Sequence, residues 1–262
     1  MLGADLLDEE AVAAAVPDRP CQINGDRVIT WGEFDQRANA LAADFVAAAR
    51  DMPALPRAAL AAALEEDPVG DPALCSGDPL TSSTAIHHLF HLERLRAATG
   101  VRVGDARVIV EWGGGFGGFA RTVRRTATGA PPAHVIIDLP LVSALQWTYL
   151  STVFGEDHVD LALSAGHVPA PGRITLVPSH LAFDLDLRAD VFVSLWGLSE
   201  TSADTQDDVA ASGFYGARHL LLAFQDDGPD TPDASRIGAL GQAAGGRVEP
   251  VGVLANSAYV FA

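Results

Sequence analysis

The sequence predicts an α/β fold in which a mostly parallel sheet is completed by an antiparallel hairpin. Three observations predict it. From Arg107 to Arg125, a short β-branched run is followed by five glycines within six positions and then by residues with helical spacing. Apolar strands then alternate with helical segments as far as Phe224, and two strand-like runs follow. Strand, glycine turn and helix together indicate the opening of a nucleotide-binding βαβ unit.

The chain is predicted to divide into a mainly helical cover or lid region, residues 1–80, and a nucleotide-binding domain, residues 81–262. Proline punctuation over residues 51–80 favours a flexible connection between the two. The predicted elements of the first region are a helix at Glu9–Val16, a hairpin at Gln22–Ile29, a helix from Thr30 to about Arg50 and an alanine-rich helix at Pro56–Glu66.

The second region opens with a helix that Thr81–Thr84 caps and that runs to about Ala98. In the helix after the glycines, Phe119 and Val123 are expected to face inward, with the arginines at 121, 124 and 125 on a basic outer face. The strands beyond it are predicted at Ala133–Asp138, Arg173–Val177, Asp190–Leu195, His219–Phe224, Arg247–Val253 and Ala258–Phe261.

The identity of the nucleotide depends on the residues around the glycines. Gly113, Gly115 and Gly118 satisfy the G-x-G-x-x-G dinucleotide fingerprint, which would indicate NAD. Glu111, two residues before the first glycine, instead suits a cationic amino group. Asp138 lies about twenty residues beyond the last glycine, where an acidic residue binds a ribose diol in either nucleotide class. A dehydrogenase would continue with parallel units and a separate substrate domain, so the closing hairpin favours a methyl donor.

Composition argues against several partners. The formal net charge is −17 and basic residues cluster only in the RTVRR stretch, so nucleic acid is not expected. Cys21 and Cys75 give neither a disulfide framework nor metal spacing. His87 and His91 stand one helical turn apart without a carboxylate at a matching offset, and no metal site is predicted. The acidic N-terminus and the lack of a long apolar run predict a cytoplasmic protein without membrane contact.

Four stretches in matching order resemble one family. They are SSTAIHHLFHLERL, VIVEWGGGFGGFA, VIIDLPLVSALQWTYL and DVFVSLWGLSET, and they span roughly Thr81 to Thr201. The sequence resembles the bacterial sugar O-methyltransferases among the class I S-adenosylmethionine-dependent methyltransferases. The resemblance implies a Rossmann-like, seven-stranded, mostly parallel sheet with an antiparallel C-terminal hairpin and a helical N-terminal extension.

The resemblance also implies transfer of a methyl group from S-adenosylmethionine to a hydroxyl of a sugar or a glycosylated metabolite. Methylation of an amine or a carboxyl group in natural-product biosynthesis stays open, as does, more remotely, an NAD-dependent oxidoreductase. The expected partner is a small-molecule acceptor, and a homodimer is compatible with the sequence.

The candidate site residues follow from these patterns. An alcohol acceptor needs a base, and Glu200 after the fourth strand is the first candidate, with His88 second. Stabilisation of the next helix start is the alternative role of Glu200. The expected donor-binding residues are Glu111, Gly113, Gly115, Gly117, Asp138, Leu139, Ser179, His180, Leu195 and Trp196.

Overall fold

The computed structural model of the chain describes residues 18, 20–24, 27–30, 57–72, 74, 81–229, 231–252, 254 and 256–262. Strands β1 (Pro20–Asn24) and β2 (Arg27–Thr30) pair antiparallel, which confirms the predicted hairpin. The helices predicted at Glu9–Val16 and from Thr30 to Arg50 lie outside the described residues. Helix α1 (Arg57–Leu64) occupies most of the predicted alanine-rich helix.

An eight-stranded sheet forms the centre of the molecule. Its strands are β3 (Val108–Trp112), β4 (Ala133–Asp138), β5 (Val159–Leu161), β6 (Ile174–Pro178), β7 (Val191–Leu195), β8 (His219–Gln225), β9 (Arg247–Pro250) and β10 (Ser257–Phe261). They lie side by side in the order β5-β6-β4-β3-β7-β8-β10-β9; the first six in this order run parallel to one another, and β10 runs antiparallel to both of its neighbours. This confirms the predicted Rossmann-like class with a closing hairpin.

The sheet has one strand more than the seven that were expected. The additional strand is β5, a three-residue segment that pairs with β6 at the edge of the sheet. Its sequence, Val-Asp-Leu, is too short to give a periodic signal, and only the pairing partner makes it a strand.

Helices cover both faces of the sheet. Among the described residues, none of them is long and apolar enough to cross a membrane. The helices of eight or more residues after α1 are α2 (Ser83–Thr99), α3 (Gly118–Thr126), α4 (Pro140–Phe154), α5 (Ala203–Ala211) and α6 (Arg236–Ala243), and a four-residue helical segment, Gly213–Gly216, follows α5. Ser82 caps α2 by accepting a hydrogen bond from the Ala85 amide at 3.1 Å, and Pro140 occupies the first turn of α4, where its missing N–H costs nothing.

Alternate residues of the central strands face opposite layers of the core. In β3, Ile109 packs with α2 and α3 on one face, whereas Val110 and Trp112 pack on the other. The first layer includes Phe90, Leu95, Phe119, Val123, Val193 and Tyr259. The second includes Val135, Ile137, Phe192, Phe214, Leu222 and Val260.

Arg121 differs from the expectation of a basic outer face on α3. Its side chain is only 2% exposed, and its guanidinium lies 3.1 Å from the Glu66 carboxylate and 2.6 Å from that of Asp67. Arg125 also binds Asp67, at 2.7 Å. The chain that follows α1 lies over this face of α3, so a position that helical spacing marks as outer is covered by a distant segment.

We predict that Arg121→Met lowers the free energy of unfolding by about 3 kcal/mol, because it leaves two carboxylates without their buried partner. For a chain of this size the melting temperature should fall by about 6–12 °C. Arg236→Met is the matched control. Arg236 pairs with Asp207, but the two side chains are 38% and 56% exposed, so loss of this pair should cost under about 1 kcal/mol. Equal melting temperatures for the two variants would contradict a structural role for the Arg121 cluster.

Candidate functional site

A cleft opens at the carboxyl ends of β3, β4, β6 and β7, the edge at which ligands bind in open α/β sheets. Its volume is about 580 Å³, within the range of small-molecule sites. The lining residues are Trp112, Gly113, Gly115, Asp138, Leu139, Val142, Ser179, Gly197, Glu200, Thr201 and Thr205. The structure therefore brings together six of the predicted site residues, which are Gly113, Gly115, Asp138, Leu139, Ser179 and Glu200.

Two glycines hold the loops after β3 and β7 against each other. A Cβ atom on Gly113 would lie 2.6 Å from the Gly197 Cα, and one on Gly197 would lie 2.7 Å from the Gly113 Cα. Real Cβ contacts are essentially never this short, so both positions require glycine. Gly197 was not among the predicted site residues, although its place directly after Trp196 at the end of β7 is a signal that could have identified it.

Gly115 and Gly117 have different surroundings within the same loop. Gly115 has a φ of +55°, and a Cβ there would meet no atom within 4 Å, so its backbone faces the open cleft. Gly117 is the N-cap residue of α3, with a φ of +101°, and packs against the side chain of Leu150. Gly115 thus leaves open space on the cleft side of the loop, whereas Gly117 starts the helix.

Glu111 lies behind the glycine loop. It is only 2% exposed, and its Oε2 lies 2.8 Å from the Nε2 of His134 on β4. The Nδ1 of His134 is buried and has no hydrogen-bond partner among the described residues, so we assign the ring proton to Nε2, which donates to Glu111. A Cβ on Gly114 would lie 3.3 Å from the other carboxylate oxygen. Glu111 therefore supports the loop from beneath. Its partner His134, on the neighbouring strand β4, was not among the residues predicted from the sequence.

Asp138 ends β4 at the wall of the cleft. Its Oδ1 accepts a hydrogen bond from the Leu139 amide at 2.8 Å, and its Oδ2 accepts one from the Gln146 side chain at 2.9 Å. Partial burial raises the pKa of the Asp138 carboxyl, and the charge of Glu111 adds to this effect. Hydrogen bonding from Leu139, Gln146 and the Gly115 backbone opposes it. The carboxylate is therefore held in one orientation beside Gly115.

Glu200 lies on the turn between β7 and α5, exposed to the cleft. Desolvation raises the pKa of its carboxyl above the usual value, which is the direction that makes a carboxylate a better base. Its amide donates to the Trp196 carbonyl at 3.2 Å. The N-cap of α5 is Ser202, whose hydroxyl accepts from the Thr205 amide at 3.4 Å, so side-chain capping of this helix belongs to Ser202.

Trp196 supports the same turn from the opposite side. It has a φ of +66°, which is rare for a bulky side chain, and its carbonyl accepts hydrogen bonds from both Glu200 and Ser199. Its ring centroid lies 5.5 Å from that of His87 and 5.4 Å from that of His91. Trp196 is thus a neighbour of the cleft whose side chain packs on α2.

The remaining predicted residues are not among the described lining of the cleft. His88 packs edge-on against Phe119, at 5.8 Å between ring centroids, and burial lowers its pKa to about 3. Leu195 packs into the core beside α2, and His180 is exposed after β6. In the part of the chain that the structure describes, no group of three or more His, Cys, Asp or Glu side chains is arranged to hold a metal ion.

No family model and no curated protein sequence matches the chain. Solved structures of similar architecture include the mitomycin 7-O-methyltransferase MmcR, with 18% identity and a TM-score of 0.44 over 68% of this chain and 54% of that one. This chain thus spans about half of the length of the mitomycin enzyme.

Two further solved structures are similar at the same level. An O-methyltransferase family protein from Burkholderia thailandensis is 13% identical, with a TM-score of 0.45, over 97% of this chain and 81% of that one. The magnesium protoporphyrin IX methyltransferase of Synechocystis PCC 6803, crystallised with S-adenosylhomocysteine, is 13% identical, with a TM-score of 0.46, over 67% and 82%. Likeness at these identities concerns the fold alone.

We predict that Gly197→Ala separates the two loops and removes the ligand-binding capacity of the cleft, because the added methyl group overlaps Gly113. Overpacking of this kind should lower the free energy of unfolding by about 1–3 kcal/mol. Gly129→Ala is the control, since its Cβ would meet no atom within 4 Å. Thermal unfolding of both variants and their titration with S-adenosylhomocysteine test this. An unchanged melting temperature and affinity of Gly197→Ala would mean that the contact between the two loops is not required.

Proposed function

We propose that the chain is an S-adenosylmethionine-dependent methyltransferase that acts on a hydroxyl group of a small molecule. The observation that carries the proposal is the Asp138 carboxylate, fixed beside the exposed backbone of Gly115 at the carboxyl edge of the sheet. A carboxylate so placed can accept hydrogen bonds from two adjacent ribose hydroxyls. The cleft is large enough for a nucleoside donor.

The sheet topology supports a methyl donor over NAD. After β8 the chain forms an antiparallel hairpin, in which β10 inserts between β8 and β9. This is the arrangement of class I methyltransferases, to which the sequence motifs are also similar. Three acidic side chains at or behind the cleft, Glu111, Asp138 and Glu200, favour a ligand with positive charge, such as a sulfonium bearing an amino group.

The donor would supply an activated methyl group, so the residues of the chain need to position two reactants and exclude water. An alcohol acceptor must also lose a proton as the new C–O bond forms. Glu200 is the proposed base, because its carboxyl lies on the cleft wall and its pKa is raised by desolvation. Leu139 and Val142 provide an apolar part of the wall.

A sugar or glycosylated metabolite is the proposed acceptor, on the similarity of the sequence motifs to sugar O-methyltransferases. An amine or a carboxyl group is the alternative acceptor. Residues 1–80 are proposed to cover the acceptor side of a catalytic domain formed by residues 81–262. The ion pairs from Glu66 and Asp67 to Arg121 support this, because they anchor the end of that region to the helix that follows the glycine loop.

Binding of S-adenosylhomocysteine and NAD⁺, measured side by side by calorimetry, tests the proposed donor. We expect S-adenosylhomocysteine to bind about tenfold or more tightly than NAD⁺, a difference of about 1.4 kcal/mol. Equal or tighter binding of NAD⁺ would overturn the assignment. Mass spectrometry of glycosides, amines and carboxylic acids incubated with protein and S-adenosylmethionine then separates the acceptor classes by which product gains a methyl group.

Substitution of Glu200 by Gln tests the base. The amide keeps the shape of the side chain and removes its charge, so donor affinity and melting temperature should be unchanged while kcat falls by about 10²–10⁴-fold. Asp204→Asn is the matched control, because Asp204 is an exposed acid in the first turn of α5 outside the cleft lining. Its turnover should be normal. Turnover of Glu200→Gln within a few-fold of the unmodified protein would assign the base to another residue.

A further inference from the structure

We infer that Gln146 is a positioning residue that joins Asp138 to the glycine loop and thereby orients the carboxylate toward the vicinal diol of a nucleoside. The inference rests on the proposed function and concerns a residue outside the cleft lining. Gln146 lies on α4 and is fully buried. It connects two loops that belong to different strands, β3 and β4.

Both hydrogens of the Gln146 amide have a defined acceptor. The Nε2 atom lies 2.8 Å from the Gly115 carbonyl oxygen and 2.9 Å from the Asp138 Oδ2. A flipped amide would direct its oxygen at these two acceptors, so the orientation of the side chain is determined by its surroundings. No other neutral side chain of this length donates two hydrogen bonds from one atom.

The same amide leaves its own oxygen unsatisfied. Gln146 Oε1 is buried and has no hydrogen-bond partner in the part of the chain that the structure describes. A buried carbonyl oxygen without a donor is unfavourable. By that measure an apolar residue would be better suited than glutamine to this interior position beside Leu150. The benefit of the glutamine therefore lies in its two donated hydrogen bonds, both of which go to residues that line the cleft.

The two hydrogen bonds to Asp138 determine which lone pairs remain for a ligand. The Leu139 amide uses one acceptor position on Oδ1, and Gln146 uses one on Oδ2. A carboxylate can accept four hydrogen bonds, two on each oxygen, and the Gly115 backbone N–H also acts on this carboxyl. Acceptor capacity therefore remains on Asp138 for the hydroxyls of a ligand, on the side that Leu139 and Gln146 do not occupy. The link to Gly115 keeps the glycine loop at a constant distance from the carboxylate.

Gln146→Leu removes both donors with a similar volume. We expect the affinity for S-adenosylhomocysteine to fall about 10–100-fold, as for loss of hydrogen bonds to a charged group. The affinity for its 2′,3′-dideoxy analogue, which lacks the diol, should change less than about threefold. In an Asp138→Ala background the same substitution should have little further effect, because residues in one network are not additive.

The pH dependence of binding gives a second measurement. Burial raises the pKa of Asp138, the charge of Glu111 adds to this, and hydrogen bonds from Leu139, Gln146 and the Gly115 backbone lower it. Removal of the donor should raise that pKa, so Gln146→Leu should lose S-adenosylhomocysteine binding at a higher pH than the unmodified protein as the solution is acidified. A role in packing alone would leave the pH profile unchanged.

Gln206→Leu is the matched control. Gln206 is also fully buried with an unsatisfied Oε1, but its amide donates to the Thr201 carbonyl at 3.2 Å and not to Asp138. The ratio of the affinities for the two ligands should be unchanged in this variant. If Gln146→Leu does not fold, as judged by circular dichroism, the unbranched Gln146→Met is used in its place.

The outcomes separate the inference from the proposed function. Absence of S-adenosylhomocysteine binding by the unmodified protein would overturn the proposed donor and with it this inference. Normal binding by the unmodified protein with equal losses for both ligands in Gln146→Leu would overturn the positioning role alone. Normal affinity of Gln146→Leu for S-adenosylhomocysteine would do the same.

Discussion

The parallel pairing of β3 with β4 on one side and β7 on the other is the constraint on which the site depends. Glu111 in β3 is in register with Ile136 of β4 and Val193 of β7, so the three strands end at the same edge. The loops that leave this edge are forced together. Glycine at both 113 and 197 is what allows their backbones to meet, and the cleft forms above that contact.

Around this edge, polar groups are supported from behind by buried partners. His134 binds Glu111 beneath the glycine loop, and Gln146 binds Asp138 and Gly115 at the wall. Such pairs are costly to bury unless each charge has hydrogen bonds, and here each carboxylate has at least one close donor. The two carboxylates are therefore held by side chains that do not line the cleft themselves.

The acidic character of the cleft has a physical consequence for its ligand. Partial burial and, to a smaller extent, the charge of Glu111 raise the pKa of Asp138, and desolvation raises that of Glu200. A cationic ligand would reduce the charge repulsion between these acidic side chains, whereas a polyanion such as nucleic acid would be repelled by them. The formal net charge of −17 acts in the same direction over the whole chain.

The sequence by itself determined the fold class, the positions of the main strands, the glycine loop and the carboxylate at the end of β4. These features depend on local patterns, namely apolar runs, turn residues and short spacings, which a linear sequence contains. The tertiary structure alone decided the burial of Arg121, whose partner Asp67 lies 54 positions earlier, and the orientation of Glu111 toward His134. It also decided the hydrogen bonds of Gln146, the close approach of Gly197 to Gly113 and the eighth strand. Each of these depends on which distant segment meets a given face, and periodicity within one element carries no information about that.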